Sequence, residues 1–296
     1  MINGELFYTK PKGTKMKTIF LTGKFKKYLL AGLAVTASFI VCVSIFLSLR
    51  EDYKIMPAYY GSAVPSVQRT EGSKLAIIID DFGQSRYGVK EMMSIQRHLT
   101  FAVMPFLENS EKDARDGYEN GFEIIVHLAM EPMKGKASWL GPRPIMSGMD
   151  TEEVKKIVRE SFETVPHASG ANIHMGSKAS AEEPIMSGVI EIMKDKNLYF
   201  VDSRTASNGI PKKVSDQRGV PCFERNVFLD GTKSVEYIKK QLKKAGDLAV
   251  KQGASVAIGH VGTEGGKETA QAINEMLPYF DQNNIKLVFV SELKDN

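Results

Sequence analysis

Seven short apolar or nearly apolar runs recur along residues 74–296, each too short to be a helix: LAIII (75–79), FAVM (101–104), FEIIV (122–126), ANI (171–173), LYFV (198–201), SVAI (255–258) and LVFV (287–290). Strands buried on both faces have this appearance. CFERNVF (222–228) reads as a weaker eighth strand. Between the runs lie helical stripes. Val154, Ile157, Val158, Phe162 and Val165 share one face, opened by Asp150 and Glu153 in capping-box spacing. Ile185, Met186, Val189, Ile190 and Met193 make a second stripe, and Val235, Ile238, Leu242, Ala245 and Leu248 a third. The methionines in these stripes are read as core filler. Pro278 is expected to kink or end a helix beginning near Glu264. Strand and helix alternating in this way predict a parallel sheet. The length of 74–296 falls slightly short of the ~250 residues of a complete (β/α)8 barrel. The expected fold class is therefore α/β, a distorted or incomplete (β/α)7-8 barrel.

The pattern ahead of the barrel is different. Residues 28–49 (YLLAGLAVTASFIVCVSIFLSL) carry no charge. A helix rising ~1.5 Å per residue makes such a run long enough for a ~30 Å hydrocarbon layer. It exceeds the ~7–15 apolar residues of a cleaved signal peptide. Seven lysines precede it (Lys10, Lys12, Lys15, Lys17, Lys24, Lys26 and Lys27). The expected organisation is a cytoplasmic basic tail (1–27), a transmembrane signal anchor (28–49), a linker (50–73) containing Pro57, Gly61, Pro65 and Gly72, and the barrel (74–296). The excess of lysine before the run places the chain as single-pass in the cytoplasmic membrane, with the barrel on the periplasmic, extracytoplasmic side.

Composition narrows the function classes. With 43% hydrophobic and 25% charged residues the chain is globular rather than disordered. The net charge of +4 belongs to the tail: residues 1–27 carry +6, which leaves 50–296 acidic and argues against nucleic acid as a partner. Two cysteines, Cys42 and Cys222, cannot form a disulfide framework or a cysteine-based zinc site. There is no H-E-x-x-H helix and no G-x-S-x-G elbow. GHVGTEGGKET (259–269) fails the phosphate-loop pattern, with Val261 where the first glycine belongs and Glu268 after the lysine.

The candidate chemistry lies at strand ends. LAIII runs into Asp80-Asp81, FEIIV into His127, ANI into His174, LYFV into Asp202 and SVAIG into His260. In a parallel sheet those ends share one face, where α/β active sites form. Taken singly, either aspartate can cap the following helix and each histidine can be structural. Taken together, two histidines with one or two carboxylates suit a catalytic divalent cation, zinc being the expected one. His98 and His167 fall outside the pattern and are read as surface residues.

IIIDDFG (77–83), FAVMPF (101–106), HLAMEP (127–132), NIHMGS (172–177), FVDSRT (200–205) and IGH (258–260) together resemble the divergent polysaccharide deacetylase family, in order and over essentially 74–293. The resemblance implies a distorted barrel and a metal-dependent hydrolase that removes an N-acyl group from envelope carbohydrate, its partner being an N-acetylated glycan. It makes Asp80 the general base, Asp81 a metal ligand and His260 the general acid. Of the H-x-x-x-H pair used by better-studied deacetylases, His127 matches the first member, but Glu131 stands at the second. His174 is the natural substitute ligand. Glu131, Asp202 and Arg204 are expected to bind or orient substrate, Asp202 by orienting His260 or a substrate hydroxyl and Arg204 by holding an anionic group, although a surface salt bridge is the default reading of Arg204. Trp139 in the 129–150 loop is either a sugar-stacking wall or a packed lid residue. The Glu131 departure also admits a second function, a non-catalytic glycan-binding or envelope-interaction module on the same fold.

Overall fold

The computed structural model describes residues 72–294. The expected tail (1–27) and anchor (28–49), and all but the end of the expected linker (50–73), lie outside the described residues. Among those described, no helix is long and apolar enough to cross a membrane.

Among the described residues, nine strands alternate with seven α-helices. They run β1 (Ser73–Phe82), α1 (Val89–Met93), β2 (Thr100–Val103), α2 (Ser110–Glu119), β3 (Glu123–Met130), α3 (Thr151–Thr164), β4 (Ala168–Met175), α4 (Glu183–Asp195), β5 (Tyr199–Asp202), α5 (Ile210–Arg218), β6 (Cys222–Glu224), β7 (Val227–Phe228), α6 (Val235–Gln252), β8 (Ala254–His260), α7 (Lys267–Gln282) and β9 (Ile285–Val288). All pairings between these strands are parallel, in the order β6-β5-β4-β3-β2-β1-β8-β7, with β9 beside the first half of β1. The weak strand foreseen at 222–228 is two strands on opposite edges of the sheet: β6 pairs with β5, and β7 with β8. The chain itself, at Arg225 and Asn226, joins the two edges. The barrel is thus distorted and incompletely hydrogen-bonded.

Alternating side chains divide the core into two layers. Ala76, Ile78, Ala102, Ile125, Tyr199, Val201, Val256 and Ile258 fill the inside. Their neighbours Ile77, Ile79, Phe101, Ile124, Val126, Phe200 and Ala257 pack outward against the helices. A strand presents successive residues to opposite faces, so inward parity carries on to Asp80, His127 and His260, each two residues beyond an inward apolar side chain.

The helical stripes of α3, α4 and α6 are where periodicity put them, and the Asp150 side chain accepts the Glu153 N–H at 2.9 Å to start α3. Two elements differ. The last helix begins at Lys267 and continues through Pro278 to Gln282. Phe280, buried beyond the proline, anchors the extra turn against the core and offsets the lost hydrogen bond. The final strand stops at Val288. The next two N–H groups go to carboxylates instead of a strand, Phe289 to Glu292 (2.7 Å) and Val290 to buried Glu123 (2.9 Å), and Val290–Leu293 turns into a 3-10 helix that plugs the barrel floor.

Candidate metal centre

At the C-terminal ends of β1, β3 and β4, one ligand atom each of Asp81, His127 and His174 lies within 4.8 Å of the others. Asp81 Oδ1 is 3.4 Å from His127 Nε2 and 3.1 Å from His174 Nδ1, and the two nitrogens are 3.1 Å apart. Simple alternation would send Asp80 and Asp81 to opposite faces. A register shift against β2 between Ile79 and Phe82, with Asp81 at φ 69°, turns both inward. The following loop is held by buried Asp113, which accepts the Gly83 N–H at 2.9 Å and pairs with Arg86.

The hydrogen bonds around the cluster decide which ring nitrogens carry protons. Asn172 Nδ2 donates to Asp80 Oδ1 (2.8 Å), so its Oδ1 faces His127 Nδ1 (2.6 Å) as an acceptor, and His127 must donate there. His174 Nε2 faces the Trp139 carbonyl oxygen at 3.0 Å and must donate as well. His127 Nε2 and His174 Nδ1 therefore point lone pairs at Asp81 Oδ1, a buried oxygen that receives no hydrogen bond. Three acceptors converge with no donor among them. A cation satisfies all three, and two imidazoles with one carboxylate suit a divalent metal such as zinc.

The adjacent carboxylates are driven apart. Burial pushes the Asp80 carboxyl up, and this prevails over His127, His260 and the Asn172 hydrogen bond. Burial also acts on Asp81, but in the metal-free protein, where His127 draws a proton, the facing imidazoles and the charge of His260 outweigh it and hold that carboxyl well below the usual range. Two acids with opposite shifts in one site are the pattern of divided roles.

His260 lies across the cavity. Its Nδ1 is 2.8 Å from Asp230 Oδ1, and Asp230 Oδ2 accepts the His260 N–H (2.6 Å) and the Thr269 hydroxyl (2.8 Å). Burial alone would lower the imidazolium, but the Asp230 bond and the charges of Asp230, Asp80 and Asp81 raise it to about 10. The cavity, about 190 Å³, is lined by Asp80, Asp81, His127, His174 and His260 with Ser203, Arg225, Phe228 and Glu264.

The structure places three of the expected site residues away from the cluster. Asp202 does not orient His260: it has the outward parity of Phe200 and caps the turn after β5 by accepting the Arg204 N–H at 2.7 Å. Asp230 holds that place. Glu131 accepts from Lys178 Nζ and the Ser147 N–H, both at 2.8 Å, and fixes a loop outside the cavity. Arg204 is exposed, 3.9 Å from Glu224, and the arginine in the cavity lining is Arg225. The Trp139 indole is exposed, and only its main-chain carbonyl reaches the cluster. His98 and His167 are exposed and away from the site. Asn172 and Asp230 escaped the sequence reading. Asn172 shares the parity of His174, and Asp230 closely follows a strand, as the other candidates do.

The family described as divergent polysaccharide deacetylase matches residues 77–294. The uncharacterized protein YibQ of Escherichia coli (strain K12) is 33% identical over 187 residues, covering 63% of this chain and 58% of its own. An uncharacterized Haemophilus influenzae protein is 31% identical over 191 residues, covering 64% of this chain and 66% of its own. The chain thus spans less than two thirds of the curated relatives it matches. The crystal structure of uncharacterized protein ATU2773 from Agrobacterium tumefaciens shares the fold at a TM-score of 0.66 and 20% identity, covering 76% of this chain and 90% of that one.

Proposed function

The chain belongs to the divergent polysaccharide deacetylase family, and from that premise we propose that it is a metal-dependent hydrolase that removes an N-acyl group, acetyl in the simplest case, from an envelope carbohydrate. The observation that carries the reading is the cluster of three acceptors with Asp80 on one side and His260 on the other, all lining one cavity.

Asp81, His127 and His174 would hold the cation. When bound, such an ion polarises an acyl oxygen and makes water more acidic. Asp80, kept in place by Asn172 and with its pKa raised toward the working range, accepts the proton of the attacking water. The C–N bond of the amide breaks as the water oxygen bonds to the acyl carbon. His260, which Asp230 keeps protonated through Nδ1, gives its Nε2 proton to the departing amine nitrogen. The products are a carboxylate and a free amino sugar. Residues 28–49 would anchor the protein in the cytoplasmic membrane and put the barrel on the envelope side, where such a glycan is found.

The test is acetate release from N-acetylglucosamine oligomers by metal-loaded protein. Release that disappears in Asp80→Asn and on chelation supports the hydrolase. The second reading, a glycan-binding module without turnover, rests on Glu131, which faces away from the cluster. It predicts glycan binding that survives both Asp80→Asn and His260→Ala, with no acetate from any form.

A further inference from the structure

The cavity holds one permanently cationic side chain, Arg225, whose charge nothing in the proposed chemistry uses. Arg225 sits where the chain crosses from β6 to β7, and both flanks of the crossing are fixed. Its own N–H donates to the Asp202 carbonyl (3.0 Å), and Asn226 exchanges two hydrogen bonds with Val256, each 2.8 Å. The guanidinium is equally constrained. Nε donates to the Ser203 carbonyl at 2.8 Å and Nη2 to the Arg204 carbonyl at 3.5 Å, while the group lies 5.4 Å from the centre of the Phe228 ring. That ring in turn packs against His260, centroids 4.9 Å apart. A guanidinium has five N–H donors, so three remain beyond the two bonds to carbonyls.

Among the described residues no carboxylate lies within 4.0 Å of Arg225, since the neighbouring acids are engaged elsewhere. Asp80 takes its hydrogen bond from Asn172, Asp202 from the Arg204 N–H, and Asp230 from His260 and Thr269. Glu224 pairs with Arg204, and Glu264 lies 3.7 Å from His260 Nε2. A half-buried guanidinium with free donors, clamped by main-chain carbonyls and an aromatic face, is a preformed receptor for an oxyanion.

We propose that Arg225 recognises a carboxylate on the substrate, so that the preferred ligand of the cavity is an anionic N-acylated sugar rather than a neutral one. This rests on the reading of the cavity as an N-acyl-sugar site. The planar carboxylate presents two oxygens to the planar guanidinium fork.

The experiment is calorimetric binding to the full-length, metal-loaded chain, with two sources of carboxylate. One probe is N-acetylmuramic acid, with the acid on a lactyl ether. The other is N-acetylglucosaminuronic acid, with the acid on the ring. Each is compared with its own methyl ester. At least one acid is expected to bind about tenfold or more tightly than its ester, the worth of a charge-assisted hydrogen bond, and which one does so locates the carboxylate. Arg225→Gln is expected to abolish the difference between acid and ester. Acid and ester binding alike in the parent, a comparison that needs no variant, would overturn the proposal. So would a preference for acid that persists in Arg225→Gln while that variant keeps the parent's metal stoichiometry. Because the readout is binding, a failure to release acetate sinks the hydrolase reading and leaves this one to be judged separately.

Discussion

His127 and His174 can serve one cation because residues outside the cluster decide where their protons sit. Asn172 is central to this. Its amide is oriented by Asp80 and its oxygen holds the His127 proton on Nδ1, which leaves Nε2 bare. Asn172→Leu is expected to weaken metal binding about 10–100-fold, the usual cost of losing a partner behind a ligand. Chelator competition measures this, and unchanged affinity would refute the tautomer argument. Asp230 plays the matching part for His260. In metal-free protein the His260 imidazolium is expected to titrate near about 10, above its ordinary 6.5, and to fall well below that in Asp230→Asn. NMR of the imidazole reads both. The raised value has a consequence for stability. The protonated form is favoured by folding, so its contribution is complete below the unfolded pKa and is lost as pH climbs through the folded one. Urea unfolding of the metal-free parent should therefore weaken between about pH 7 and pH 10, with a smaller decline in Asp230→Asn.

At the scale of the strand, parity explains both what could be read in advance and what could not. Ile78 to Asp80, Ile125 to His127 and Ile258 to His260 are each a step of two along a strand, so apolar runs ending in those residues announce side chains that converge on the barrel axis. The same step from Val201 reaches Ser203, not Asp202, and Ser203 is the one that lines the cavity. Asp202 ends an apolar run, but on its outward face. Asp230 lies just beyond the short β7, and one strand over 222–228 does not point to it. Asp81 was beyond reach of parity altogether, because a bulge and a left-handed backbone put it beside Asp80. The two aspartates are separable by experiment. Asp202→Ala removes one buried acceptor and is expected to cost about 1 kcal/mol in urea unfolding, while the titration of His260 stays in place. A shifted His260 in that variant would restore Asp202 to the role the structure gives to Asp230. A second element-scale device joins the loops after β1 and β8. Gly88 has φ 82°, and a Cβ there would lie 2.3 Å from the Gly266 carbonyl carbon. Gly88→Ala combines a disfavoured backbone with that collision, and should cost more than about 1 kcal/mol, again read by urea unfolding.

For the molecule as a whole, the cluster creates a conflict between stability and function. The floor of the barrel is sealed by the Val290–Leu293 turn and its hydrogen bonds to Glu123, while the opposite end gathers three acceptors that no protein donor satisfies. Without a cation, those groups are buried at a cost, and His127 draws a proton toward them: burial lowers its pKa, but Asp80 and Asp81 more than reverse this. With a cation, β1, β3 and β4 are tied at one point. At free metal about 100 times its dissociation constant, binding to the folded state alone adds about 2.7 kcal/mol. For a domain of this size that corresponds to a rise in Tm of roughly 5–10 °C. The rise should shrink in acid, where protons compete for His127. Asp81→Asn separates the two halves of the argument, because its amide can donate to the facing imidazole nitrogens. Metal-free Asp81→Asn is expected to melt no lower than the metal-free parent and to gain little when metal is added. A parent indifferent to metal, or a metal-free Asp81→Asn that melts well below the metal-free parent, would mean that the three side chains meet for structural reasons and that no ion belongs between them.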